Sequence, residues 1–180
     1  MIARAEAGAE SAGMSAFDLG EAIESIAELY APVAEENGAT LKIEAAEGLT
    51  VVGNRELIGQ AVANLIDNAV KHGAPADGAA ARAEIAVVVR REGASIAIEV
   101  ADHGPGIPAE DRGRALERFV RLEGARSRPG SGLGLSLAAA VMHMHGGSLA
   151  LGDNHPGLKA TATLPAAAET PRLSAARAAA

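Results

Sequence analysis

Apolar residues recur at helical spacing in two long stretches of the chain. From Leu19 to Asn37 they fall at Ile23, Ile26, Ala27, Tyr30 and Val33, and Asn37-Gly38 supplies a stop. From Arg55 to His72 a broader face is made by Leu57, Ile58, Ala61, Val62, Leu65, Ile66, Ala69 and Val70, ended by Gly73. A third helix is predicted from near Ser131 to His145, capped by Gly146-Gly147. Between the helices the pattern changes to alternation. Glu84 to Arg91 and Ser95 to Ala101 predict a hairpin over Glu92-Gly93-Ala94. Thr40 to Ala45 and Leu49 to Val52 predict two strands around a Glu47-Gly48 turn. Further strands are expected at Phe17 to Leu19, Ser148 to Leu151 and Leu158 to Leu164. The order is not a regular strand–helix alternation, so a doubly wound sheet is disfavoured. It predicts an α/β fold with a mixed, mostly antiparallel sheet on one side and three helices on the other.

Two regions break the pattern. Residues 73–82 form a small-residue loop, and Asp102 to Gly130 is rich in Gly, Pro and Arg with one helical patch at Asp111 to Phe119. The second is too long for an ordinary connector, and such loops are often functional. Residues 1–15 read as the remnant of a preceding helix or linker, 16–165 as one domain, and 166–180 as a disordered tail.

Composition narrows the field. Hydrophobic residues make up 48% of the 180, enough for a packed core, but aromatics only 2%, so that core must be aliphatic. The net charge of −7 argues against a general nucleic-acid binder. Yet Arg112 to Arg128 carries six arginines against Glu117 and Glu123, a basic segment suited to an anionic ligand. There is no cysteine, which excludes disulfides and thiolate metal sites. With no membrane-length apolar run and no signal-peptide pattern, a cytoplasmic location is expected, compatible with the cytosolic part of a membrane-anchored sensor.

Three constellations carry candidate chemistry. In Asn64-Leu65-Ile66-Asp67-Asn68-Ala69-Val70-Lys71-His72, Asn64 and Asn68 lie about 40° apart on a helix and Lys71 about 20° to the other side. Two amides and an ammonium share one stripe: amide oxygens can hold a hard cation, and an ammonium can meet phosphate. The same stripe could equally be a solvated helix face. Asp102-His103-Gly104-Pro105-Gly106-Ile107 follows an alternating strand. A buried carboxylate there accepts from an exocyclic amine and repels a carbonyl, which favours adenine over guanine; the plain alternative is a glycine turn. In Arg128-Pro129-Gly130-Ser131-Gly132-Leu133-Gly134-Leu135 alternate glycines open a helix, and bare amides at a helix start attract anions. No Lys-Ser/Thr follows, so this is not a Walker motif.

In order and separation these stretches resemble the ATP-binding domain of bacterial sensor histidine kinases, in a superfamily shared with DNA gyrase, mismatch-repair ATPases and heat-shock chaperones. Asn64 to His72 resembles the N box, Asp102 to Gly106 the first glycine box, Glu117-Arg118-Phe119-Val120-Arg121 the F box, and Gly130 to Gly134 the second glycine box. The resemblance spans about residues 17–164 and implies a two-layer sandwich with an ATP lid at about 103–130. It implies Mg²⁺ on Asn68 with Asn64 beside it, Lys71 at the phosphates, and His72 near adenine or ribose. Asp102 would accept from the adenine amine, with Gly104, Gly106 and Ile107 around the base. Arg121 and Arg128 would reach the terminal phosphates. Gly130, Ser131, Gly132, Leu133 and Gly134 would hold the phosphate chain, and Phe119 would anchor the lid.

The implied activity is transfer of the γ-phosphoryl group from Mg-ATP to a histidine on a dimerisation domain, with a response regulator downstream in two-component signalling. The chaperone and gyrase branches have a glutamate near the position of Asn64; an amide cannot serve as a general base, so poor hydrolysis is expected. No histidine precedes His72, so the acceptor is expected outside these residues and autophosphorylation by the isolated chain is not expected. The alternatives are an anti-sigma-type serine kinase and a nucleotide-binding regulatory module without kinase activity. His143 and His145 fall in a last helical turn, where imidazolium suits the dipole; about 200° apart, they make a poor metal pair.

Overall fold

The structure, a computed structural model, describes residues 13–73, 83–120 and 132–167. Among these residues seven strands and four helices make two layers. The strands are β1 (Met14–Asp18), β2 (Ala39–Ala45), β3 (Thr50–Asn54), β4 (Ala83–Glu92), β5 (Ser95–Ala101), β6 (Ser148–Asp153) and β7 (Leu158–Pro165). The helices are α1 (Leu19–Glu36), α2 (Arg55–His72), the single turn α3 (Arg112–Ala115) and α4 (Gly134–Met144).

The main sheet has the order β2-β4-β5-β7-β6, with β2 and β4 parallel and every other pair antiparallel. Alternation decides which face is buried. Ile85, Val87, Val89, Ile96, Ile98, Val100, Ala160, Ala162 and Leu164 turn inward against α1, α2 and α4. The outer face carries ion pairs such as Lys42–Glu84 (2.7 Å) and Arg90–Glu99 (2.8 Å). Among the described residues the sheet is therefore covered on one side only, as its period-two pattern predicts. Arg90 holds the Glu99 carboxyl below the usual range, first by hydrogen bonding and then by charge.

The Glu47-Gly48 turn does not close a hairpin between its flanking strands. β2 pairs with β4, while β3 pairs antiparallel with β1 in a separate two-stranded sheet. Strand pattern carries no partner identity, and the chain entering at Met14 supplies the partner that β3 needs. The expected preceding segment thus yields Met14 and Ser15 to β1. At the other end Ala166 N–H and Ala167 N–H donate to Ala94 O (2.9 Å) and Thr50 O (2.8 Å), which secures the first residues of the expected tail.

Capping sets the helix starts. Asp18 Oδ1 accepts from Glu21 N (3.1 Å) at α1, and Asn54 Oδ1 accepts from Leu57 N (3.0 Å) at α2. The third predicted helix starts at Gly134 rather than near Ser131, and the helical patch expected to run to Phe119 is shorter, a 3₁₀ turn at Ala109–Asp111 followed by α3. His145 also differs from expectation. It is buried, its Nδ1 lies 2.7 Å from Val141 O, and its Nε2 accepts from Asn54 N–H at 3.0 Å. That pairing needs the neutral ring with hydrogen on Nδ1, so His145 joins α4 to the start of α2 instead of answering the helix dipole as a cation.

Candidate functional site

One helix forms the wall on which the predicted stretches meet. Ile58, Ala61, Val62, Leu65, Ile66, Ala69 and Val70 bury one side of α2, which turns Asn64, Asn68 and Lys71 away from the deepest core. Near its middle, a Cβ built on Gly134 would touch Asn64 Cβ at 3.8 Å, so the start of α4 lies against the first amide. At its C-terminal end, a Cβ on Gly104 would fall 2.2 Å from His72 O, and one on Gly73 would fall 2.6 Å from Asp102 Cβ. The loop after β5 therefore packs directly on the end of α2. This close approach, rather than any turn requirement, is why glycine stands at 73 and 104.

Asp102 is the buried carboxylate of this region, with 4% exposure. Its Oδ1 accepts from Gly104 N–H (2.9 Å) and Leu158 N–H (3.2 Å). Among the described residues no hydrogen bond reaches Oδ2, which leaves an acceptor directed elsewhere. Burial raises its pKa above the ordinary aspartate value, partly opposed by those two backbone bonds and by nearby His103 and His72.

The amide stripe is less complete. Asn64 Nδ2 is buried and has no hydrogen-bond partner among the described residues, a cost of about 1–3 kcal/mol unless something else accepts from it. Asn68 is half-buried and makes no side-chain hydrogen bond among the described residues. Lys71 Nζ pairs with Asp67 Oδ2 at 2.6 Å on the exposed helix surface. Two amides beside one another, one with an orphaned donor and one with no described side-chain bond, suit a hard cation and its anionic ligand, since Mg²⁺ takes one or two protein oxygens and fills the rest from phosphate and water.

The remaining predicted residues divide. Ile107 is half-buried, and its carbonyl accepts from Arg112 Nε (3.0 Å). Gly106 has φ 69° and packs on Gly157, where a Cβ would lie 2.8 Å from Gly157 O. Gly132 has φ 69°, and Leu133 is the N-cap of α4, its carbonyl accepting from Leu137 N (2.8 Å) and Ser136 Oγ (3.1 Å). Phe119 is 77% exposed with φ 63°. Arg121, Arg128, Gly130 and Ser131 lie outside the described residues.

Sequence reasoning places a turn at His155 between β6 and β7 but missed its contact with Asp102. Asn154 Nδ2 donates to Asp102 O at 2.7 Å, and a Cβ on Gly157 would fall 1.8 Å from that same oxygen. Asp153 Oδ2 holds Arg112 Nη2 at 2.6 Å, and the arginine keeps the Asp153 carboxyl below its usual range. The only signal was an Asn-His-Pro-Gly turn, with nothing to connect it to a carboxylate 52 positions earlier. A separate groove of about 330 Å³ is lined by Asp18, Glu21, Glu24 and Glu47, and its negative charge repels phosphate. No described helix is long and apolar enough to cross a membrane.

Residues 53–168 match the family described as histidine kinase-, DNA gyrase B- and HSP90-like ATPase. A signal transduction histidine-protein kinase/phosphatase, MprB of Mycolicibacterium smegmatis, is 41% identical over 110 residues, covering 61% of this chain and 21% of that protein. The chain thus spans about one fifth of the length of the curated relatives it matches. A solved mycobacterial sensor histidine kinase MprB structure superposes with a TM-score of 0.70 at 28% identity, covering 85% of this chain and 97% of that one. The catalytic domain of histidine kinase ThkA has the same fold, with a TM-score of 0.73 at 22% identity, covering 85% and 95%.

Proposed function

Since the chain belongs to the histidine kinase-, DNA gyrase B- and HSP90-like ATPase family, we propose that it binds Mg-ATP and donates the γ-phosphoryl group to a histidine on a dimerisation domain outside these residues. The observation that carries this reading is the convergence on α2, where Gly134 meets Asn64 and the Asp102–Gly104 loop meets His72 and Gly73. One helix then spans the distance from a carboxylate that can read a base to a glycine-opened helix start that can receive phosphates.

On this reading Asp102 Oδ2 accepts from the adenine amine, and Oδ1 is held by backbone to keep it aimed. Asn64 Nδ2 donates to a phosphate oxygen, which satisfies the orphaned hydrogen. Lys71 moves from Asp67 toward the same charge. Asn68 Oδ1 would hold Mg²⁺, which when bound would neutralise charge on the phosphates. Arg121 and Arg128 complete the neutralisation from the lid. The β–γ bridging P–O bond breaks, a P–N bond forms on the acceptor imidazole, and ADP leaves. Phosphoryl transfer of this kind depends on alignment and charge neutralisation more than on covalent help from the protein. Asn64 cannot take a proton from water, so hydrolysis is slow.

The broader role is in two-component signalling, with a response regulator downstream of the phosphorylated histidine; the relative MprB is named a signal transduction histidine-protein kinase/phosphatase. The test has two stages. Calorimetry should detect ATP binding that strengthens with Mg²⁺. The chain should then fail to label itself with radiolabelled ATP but label a separately prepared histidine-bearing dimerisation domain from the same genome. Acid-labile labelling of the isolated chain, or no binding by a well-folded sample, would overturn the reading.

A further inference from the structure

We propose that Asn154 is a positioning residue for the base-reading carboxylate, and so helps to decide which purine the site accepts. This rests on the reading that Asp102 accepts from adenine. Three hydrogen bonds join the β6–β7 turn to Asp102. Two are backbone to the turn side: Asp102 N–H donates to Leu158 O (2.9 Å), and Leu158 N–H donates to Oδ1 (3.2 Å). The third comes from a side chain, Asn154 Nδ2 to Asp102 O at 2.7 Å. Asn154 is itself aimed by the turn, its N–H donating to Gly157 O at 3.1 Å.

The main-chain carbonyl of Asp102 belongs to the peptide that leads into His103 and Gly104. Gly157 comes so close to it that a Cβ would lie 1.8 Å from the oxygen, so no side chain at 157 could take over the contact. Without the Asn154 donor the tilt of this peptide is set by packing against Gly157 alone, with no hydrogen bond to fix it. Rotation carries away Gly104 N–H, the nearer of the two donors that fix Oδ1 (2.9 Å). The carboxylate then loses its aim while keeping its charge. Selectivity for an amine over a carbonyl depends on that aim, because a site built to pair one buried polar group discriminates only when the group is fixed.

The experiment measures binding of ATP and inosine triphosphate to the full chain by calorimetry. The two nucleotides share their phosphates and differ in an amine or carbonyl at the base. Asn154→Ala should weaken ATP about tenfold, the loss of one well-made hydrogen bond, and leave inosine triphosphate nearly unchanged. Asn154→Leu, close in size, uncharged and without the donor, should do the same and serves if the alanine variant does not fold. Asn154→Gln, which keeps an amide donor, should recover part of the preference. An unchanged preference, or equal weakening of both nucleotides, would overturn the proposal, the latter marking a purely structural role. Asp102→Ala separates the two ideas. If it keeps the parent preference, the adenine reading fails and this inference with it. If it abolishes the preference while the Asn154 variants retain it, only the role of Asn154 fails.

Discussion

The C-terminal end and the middle of α2 are built on opposite plans. At the C-terminal end Asp102 is buried and gripped by Gly104 N–H, Leu158 N–H and the Asn154 amide, with glycine wherever backbones meet. Near the middle, and among the described residues, Asn64 has a buried amide hydrogen without a partner, Asn68 has no side-chain bond, and Gly134 leaves ordinary van der Waals space. On the proposed reading, one region is finished before a ligand arrives, and the other leaves the bonding of its groups to that ligand. A rigid acceptor suits a flat base with one correct pattern of donors. An open, polar stretch suits a metal and phosphates whose charges must be met from several sides.

The largest expected disruption of this contrast is Gly157→Ala. Its φ of 119° and the 1.8 Å approach to Asp102 O leave no place for a methyl group. Destabilisation of roughly 3 kcal/mol or more is expected by chemical denaturation, with loss of nucleotide binding. A stable, ATP-binding variant would show that the turn is not a fixed clamp.

Asp102→Asn should come next. The two N–H donors on Oδ1 would select the amide oxygen for that position and leave NH₂ facing the base. Preference should then shift by about a hundredfold from ATP toward inosine triphosphate, as one acceptor-to-donor exchange removes a good contact and creates a bad one. The ligand-free variant should also melt higher, because burial disfavours the native charge. A retained ATP preference would place base reading elsewhere.

Asn68→Ala should weaken ATP about tenfold in Mg²⁺ and leave metal-free binding nearly unchanged, within the range of a lost oxygen ligand or charged hydrogen bond. A magnesium titration identical to that of the parent would count against the metal assignment.

The pH effect is smaller. A raised carboxyl pKa means the folded protein holds this proton more tightly than the unfolded chain does. Its contribution to stability therefore falls as pH rises between the ordinary and the raised value. On the proposed reading base recognition runs the other way, since the two N–H bonds on Oδ1 direct a proton to Oδ2 and turn that oxygen into a donor. The ratio of ATP to inosine triphosphate affinity should decline on acidification at a pH above that of an ordinary aspartate. The phosphates are common to both and cancel. A ratio constant down to the ordinary aspartate range would remove the burial argument.

Gly134→Ala is expected to do least. Its Cβ would meet Asn64 Cβ at a normal 3.8 Å at the first turn of a helix, so stability should change by less than about 0.5 kcal/mol. Set against Gly157→Ala, it tests whether glycine serves clearance beside the end of α2 and is dispensable for folding beside its middle.

Local chemistry carried much of this in the sequence itself. The aliphatic stripe of α2 fixed which side the helix buries, and with it that Asn64, Asn68 and Lys71 share the other; alternation in β4, β5 and β7 set the covered face of the sheet. Both are consequences of backbone period, which a chain declares without reference to distant residues. What the period cannot declare is partnership. That β3 joins β1 and not β2, that His145 is neutral and bonded to Asn54, and that Asn154 and Gly157 meet the main-chain carbonyl of Asp102 at the end of β5 were decided only when the layers closed. Each depends on a contact between groups far apart in the chain, chosen by shape and by which donors and acceptors burial left to be satisfied.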